Sequence, residues 1–254
     1  MQNGDHVEAA HAALWFDKDV IGSDDQKALA QQIDKGIGDL ERFLGVKFDP
    51  RRLGVEKIPH FITGSAGISH VSGWADLGVF LAISRVQTNN APYLHETTHY
   101  LLTAHPRNGE PFHSAGEPWL AEGFASYVED AVVERFGGRA SHLFTKGGNA
   151  AVDAEALAVL QTENGRAVLP YVGTHGSPPA MVRDRTNVAA PFYLLSQSFC
   201  KFLTGHVGVA KMVALSAMDE SSGDMEERVA AATGKPADAW IKEWLKAIGY
   251  KDPQ

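Results

Sequence analysis

Residues 93–100 read YLHETTHY. Two histidines stand four apart, and a glutamate directly follows the first. Leu94, Leu101 and Leu102 surround them, and the apolar stretch GVFLAISRV (78–86) comes just before. Such a segment has few ways to fold. In a helix, residues i and i+4 lie about 40° apart in azimuth and share one face. A helix with these neighbours packs in the interior, where an unpaired polar group costs about 1–3 kcal/mol. His95 and His99 therefore need partners. In a chain of eleven histidines a pair at this spacing can also arise by accident on a solvated helix. The leucines argue against that.

The elements around the pair can be read from the same rules. SDDQKALAQQIDKGIGDLERFLG opens with a capping box, Ser23 with Gln26. Leu29, Ile33, Ile37, Leu40 and Leu44 then recur at helical spacing, and Gly45 is a stop. KIPHFIT (57–63) reads as a strand, with Pro59 pointing to an edge or a strand start. GVFLAISRV reads as a strand apolar on both faces. Asn90 and Pro92 start the HETTH helix, which runs to about Thr103, before Pro106. A polar loop, 105–117, follows, and Pro118 opens a helix that stops at Gly137-Gly138. Residues 152–161 read as helical and 169–191 as a long irregular connection. After Pro191 the pattern is helical to the end. The expectation is α+β: residues 1–104 as a helix-plus-sheet lobe ending in the HETTH helix, and 105–254 as a mostly helical lobe, with a cleft between them.

The chemistry follows from the spacing. Two imidazoles on one helix face can hold one ion, and imidazole nitrogen suits zinc. Glu96 lies about 100° round from His95, at the edge of that face. There it can reach a metal-bound water without being a ligand. Zinc lowers the pKa of such a water toward about 7, and a nearby carboxylate can take its proton. A catalytic site usually needs a third protein ligand. PWLAEGFASY supplies Glu122, 23 residues after His99. Gly123 follows, and its missing side chain would let the two helices approach. Ser126 and Glu129 share the face of Glu122 and are candidates for orienting the ligands.

HETTH followed by WLAEGFASY resembles the gluzincin zinc metallopeptidases, the thermolysin-like and aminopeptidase-like group with H-E-x-x-H and a glutamate ligand on the next helix. The resemblance runs from about Val79 to Val133 and more weakly through the C-terminal helices. It implies a zincin-like fold, with His95, His99 and Glu122 holding Zn2+ and Glu96 as general base. It also implies that strand 78–86 is an edge pairing with an extended peptide, and that Tyr193 donates to the oxyanion. His175 and His113 are lesser candidates for that donor. The acidic residue that thermolysin-like members favour one turn after the ligand is here Ser126, with Glu129 as a substitute.

Composition excludes several other roles. The net charge is −8 without a Lys/Arg block, which argues against nucleic acid. No apolar run approaches the roughly 20 residues of a membrane span. The single Cys200 excludes internal disulfides and multi-cysteine metal sites, and in SQSFCKFL it reads as buried and inert. The tryptophans at 15, 74, 240 and 244 read as packing residues. Arg183 and Arg185 read as solvated, and His60, His70, His105, His142 and His206 as surface or satisfied polar residues. The start, MQNGDHVEAAHAALWF, carries no signal pattern, as in an exported protein after trimming, and export is favoured over a cytoplasmic location. The leading expectation is a zinc-dependent peptidase acting on a peptide or protein. A zinc-bearing scaffold on the same fold and an all-α interaction domain with an accidental motif are the alternatives. No exopeptidase signature of the GxMxN kind precedes HETTH.

Overall fold

A computed structural model of the chain describes residues 4–18, 20–49, 55–64, 66, 68–72, 78–103, 117–218 and 223–251. Trp74, His105, His113 and most of the loop 105–117 lie outside them. The fold is α+β, with one five-stranded mixed sheet. The described residues group into two units. One holds those up to 103 together with 132–141; the other holds 117–131 and 142–251.

The first unit is built on the sheet. Its strands are β1 (Asp5–Glu8), β2 (Ala12–Phe16), β3 (Ile58–Thr63), β4 (His70–Ser72) and β5 (Gly78–Ala82), in the order β1-β2-β3-β5-β4. The pairs β2/β3 and β3/β5 are parallel; β1 and β4 run antiparallel to their neighbours. Leu14, Ile58, His60, Ile62, Val79 and Leu81 form one fully buried face. Helix α1 (Ser23–Leu44) packs over β1 and β2 with Ile33, Ile37 and Leu40 buried, and helix α3 (Tyr93–Thr103) packs over β5 and β4. Gly36 on α1 makes room for α3: a Cβ there would stand 2.7 Å from the Tyr93 ring and 2.9 Å from Leu94.

Four expectations need correction here. Gln26 does not close a capping box with Ser23; its amide donates to Asp5 (2.8 Å) and to the Ile21 carbonyl (3.2 Å), and Gly22 occupies the cap position. The segment 78–86 is a strand only to Ala82, because its partner β3 ends at Thr63, opposite Ala82. Beyond that the backbone finds no ladder and closes on itself as helix α2 (Ile83–Gln87). Nor is β5 an edge: β3 pairs along one side, and β4 pairs with residues 78–80 on the other, so a peptide cannot add there. Pro59 sits at the start of β3, one of the two readings it allowed, and β3 is the central strand. The start of α3 also differs in detail. The Pro92 carbonyl accepts the Glu96 N–H (2.9 Å), while the Asn90 amide is taken up by the Ser141 carbonyl and Arg85.

The sheet's other face carries a row of stacked rings, one from each strand. His6, Trp15, Phe61, Phe80 and His70 lie in register with centroids 4.8–5.1 Å apart. Trp15, Phe61 and Phe80 are half-buried and the two histidines exposed. Gly78 leaves space for the Phe61 ring, which a Cβ would meet at 2.5 Å.

The second unit is helical. It contains the N-terminal part of α4 (Pro118–Phe136), then α5 (Gly148–Leu160), α6 (Glu163–Val168), α7 (Ala190–Val207), α8 (Val209–Ser216), α9 (Met225–Thr233) and α10 (Ala237–Ala247). Helix α7 is buried on most of its surface and packs against α5, α6, α8 and α10. Its own Phe199 and the neighbouring Trp119, Phe124 and Trp244 are all fully buried. Trp244 donates to Ser198 (2.9 Å) and Trp240 to Thr233 (2.8 Å), so both indoles have partners in the core. Cys200 is buried, and burial holds its thiol well above the usual range, in keeping with an inert residue. The irregular segment after α6 contains a 3-10 turn (Leu169–Tyr171) and ends in a π-helical turn, Arg185–Ala189, capped by Asp184. Helix α9 opens with a full capping box, Asp224 and Glu227. Among the described residues no helix is long and apolar enough to cross a membrane.

Candidate metal centre

Helix α3 places the two histidines as its period requires. Their rings meet edge to face at 81°, with centroids 4.7 Å apart. The two Nε2 atoms are 3.0 Å apart, so both nitrogens aim at nearly the same point. His95 is buried and His99 half-buried; Glu96 is buried at 5% exposure. Thr98 turns its hydroxyl back to its own helix, donating to the Leu94 carbonyl (2.8 Å). Thr97 reaches across to β3, where its hydroxyl meets Nε2 of His60 at 3.3 Å. Tyr100 is fully buried with no hydrogen-bond partner for its hydroxyl, and burial pushes its pKa up.

On α4, Glu122 is half-buried one turn into the helix. Its neighbour Gly123 does allow a close approach, but the partner differs from the one expected. A Cβ at Gly123 would fall 2.5 Å from the Ser196 backbone, so the glycine admits α7. The glycine that admits another helix to α3 is Gly36. Ser126 and Glu129 are both buried.

His95, His99 and Glu122 are the one group of three His, Cys, Asp or Glu residues among those described that could hold a metal ion. Each offers one ligand atom, and all of these lie within 4.8 Å of one another. The donor set, two imidazole nitrogens and a carboxylate oxygen, fits zinc and leaves one position open in a four-coordinate shell. The close Nε2 pair supports the fit, since a cation can engage both lone pairs at once, whereas a hydrogen bond uses only one as acceptor.

Tyr193 lies in the first turn of α7, half-buried, with its ring 4.1 Å from that of Phe144. His175 is exposed, and its Nδ1 bonds Glu117 at 2.8 Å. Arg183 and Arg185 are exposed. His142 pairs with the buried Asp130 at 3.3 Å.

Sequence reasoning passed over three groups. His60 is wholly buried, which corrects its reading as a surface residue and leaves the reading as a satisfied one. Its Nδ1 meets the Ile58 carbonyl (3.1 Å), and burial pushes its pKa down to about 4. The signal was present: His60 alternates with Ile58 and Ile62 and so shares their inward face. Glu117 stands just before α4. Burial pushes its carboxyl pKa up, but hydrogen bonds from the Gly176 N–H (3.0 Å), His175 and Arg228 (2.8 Å) outweigh that and hold it below the usual value. Arg228 is itself buried, with its Nε unpartnered. No local pattern marks Arg228, which is 111 residues away from Glu117. No family model matches the chain, and no curated protein matches it.

Proposed function

We propose that this chain is a zinc-dependent peptidase of the gluzincin type on a zincin-like fold, acting on a peptide or protein substrate. The convergence of His95, His99 and Glu122 carries the reading. These three residues would hold the ion. When bound, zinc supplies a Lewis acid that polarises a carbonyl and lowers the pKa of a water. Glu96 is the base: its carboxylate takes the proton of the attacking water and passes it to the leaving amine. A second acidic side chain beside a ligand has no task in a site that only stores metal, which favours an enzyme over a scaffold. Tyr193 is the proposed hydrogen-bond donor to the carbonyl oxygen as it gains charge. Removing that hydroxyl in Tyr193→Phe should lower kcat about 10²-fold with little change in KM.

The test is digestion of a peptide library by the zinc-loaded chain, read by mass spectrometry, beside a metal assay. One zinc per chain is expected, with cleavage that stops on chelation and returns with zinc. Zinc binding without chelator-sensitive cleavage would make the chain a scaffold and overturn the peptidase reading. Absence of zinc binding would overturn the metal site as well.

A further inference from the structure

Helix α3 has a polar tie to the sheet in the Thr97–His60 contact. His60 sits in the middle of the central strand, fully buried between Ile58 and Ile62. Burial keeps its imidazole neutral, so one ring nitrogen donates and the other accepts. Nδ1–H donates to the Ile58 carbonyl (3.1 Å). Nε2 then accepts from the Thr97 hydroxyl (3.3 Å). The contrast within HETTH is informative: Thr98 spends its hydroxyl on its own helix, and Thr97 does not.

Thr97 is midway between His95 and His99 in sequence. At about 100° per residue it lies about 160° round the helix from each of them. The tie is therefore at the back of the helix whose front carries the two imidazoles. A helix with its side chains has a radius of about 5–6 Å, so turning it by about 10° moves an atom at its rim by about 1 Å. Zinc–nitrogen bonds tolerate about 0.2 Å. Packing over β5 and β4 holds α3 down on the sheet, while the Thr97–His60 bond is directional and fixes its rotation.

We infer that His60 is a positioning residue, which by accepting the Thr97 hydroxyl sets the rotation of α3 and so the aim of His95 and His99 at the metal. This rests on the proposed zinc site. Hydrogen-bond partners of metal-ligating side chains are typically worth about 10–100-fold in metal affinity. His60 acts one step further away, and about 5-fold is expected.

The experiment is zinc affinity of the full chain, measured by competition with a chromophoric chelator, for four proteins. Thr97→Ser keeps the hydroxyl and loses a methyl. Thr97→Val keeps the shape and loses the hydroxyl. The double variant His60→Leu with Thr97→Val removes both partners, leaving no orphaned ring nitrogen, and decides the matter if Thr97→Val fails to fold. The unmodified chain and Thr97→Ser should bind zinc within about 2-fold of one another, with Thr97→Val and the double variant about 5-fold weaker. Affinity unchanged on losing the hydroxyl, or lost equally in Thr97→Ser, would overturn the positioning role and leave the peptidase reading standing. An unmodified chain that binds no zinc would overturn both.

Discussion

The two helices that carry the candidate ligands are anchored by different physics. Helix α3 is anchored by apolar burial: Tyr93, Leu94, Tyr100, Leu101 and Leu102 are all buried, and the neutral pair Thr97–His60 ties it to the sheet. Helix α4 is anchored at its start by charge, through the buried carboxylate of Glu117 and the buried guanidinium of Arg228. The first arrangement positions the candidate ligands by shape. The second holds its helix start through an ion pair that is costly to break, because either charge left alone in the interior lacks solvation.

The sharpest way to divide the two helices is by chemistry. Glu96→Gln on α3 should lower kcat by about 10²–10⁴-fold and leave zinc content unchanged, as expected for loss of a general base. Glu122→Gln on α4 should lower zinc content first. Unchanged turnover in Glu96→Gln would remove the proposed chemical role from α3.

Next in size is the charged anchor. Arg228→Met leaves Glu117 without its buried cation and should cost about 3–5 kcal/mol in urea unfolding, and the double variant with Glu117→Gln should recover much of it. Because the folded-state pKa of Glu117 lies below its ordinary 4.5, this contribution is complete above that pH and is lost as the pH falls below it. Glu117→Gln should flatten stability in that acid range.

The neutral anchor responds in a different window. His60 has a folded-state pKa of about 4 against 6.5 when unfolded, so the unfolded chain binds its proton first on acidification. Its contribution is complete above pH 6.5 and falls away as the pH drops toward 4, by on the order of 3 kcal/mol. Hydrogen exchange of α3 amides at pH 7 and pH 5 should show the loss, and His60→Leu should remove the pH dependence. A loss confined to α4 amides would reverse the comparison.

The smallest effects separate the two glycines. At Gly123 a methyl group meets the Ser196 backbone, which cannot move aside, and Gly123→Ala should cost about 1–3 kcal/mol. At Gly36 it meets the side chains of Tyr93 and Leu94, which can shift, and alanine gains about 1 kcal/mol in helix propensity. Gly36→Ala should therefore lie near zero in thermal unfolding. Equal shifts for the two would mean that both helices are held alike.

Much of the fold was legible because it is local. The α1 periodicity and its Gly45 stop, the strand at 58–63 and the C-terminal helices all follow from spacing and turn chemistry within a few residues. What misled was non-local. Apolar residues continue through Ile83 and Val86, and nothing in 78–86 says that β3 ends opposite Ala82. The second strand against β5, β4, is only three residues long, too short to read. Gly123 is legible as a point of close approach, but a glycine does not announce its neighbour.

By itself the sequence determined the i, i+4 pairing of His95 and His99, the flanking position of Glu96 and the inward face of His60, since helix and strand periods are set by backbone geometry within a few residues. Only the tertiary structure decided that Glu122 comes within 4.8 Å of both histidines, that Gly123 meets α7, and that Arg228 neutralises Glu117. Those contacts join residues far apart in the chain, and which of the many possible partners meet depends on the packing of all the elements at once.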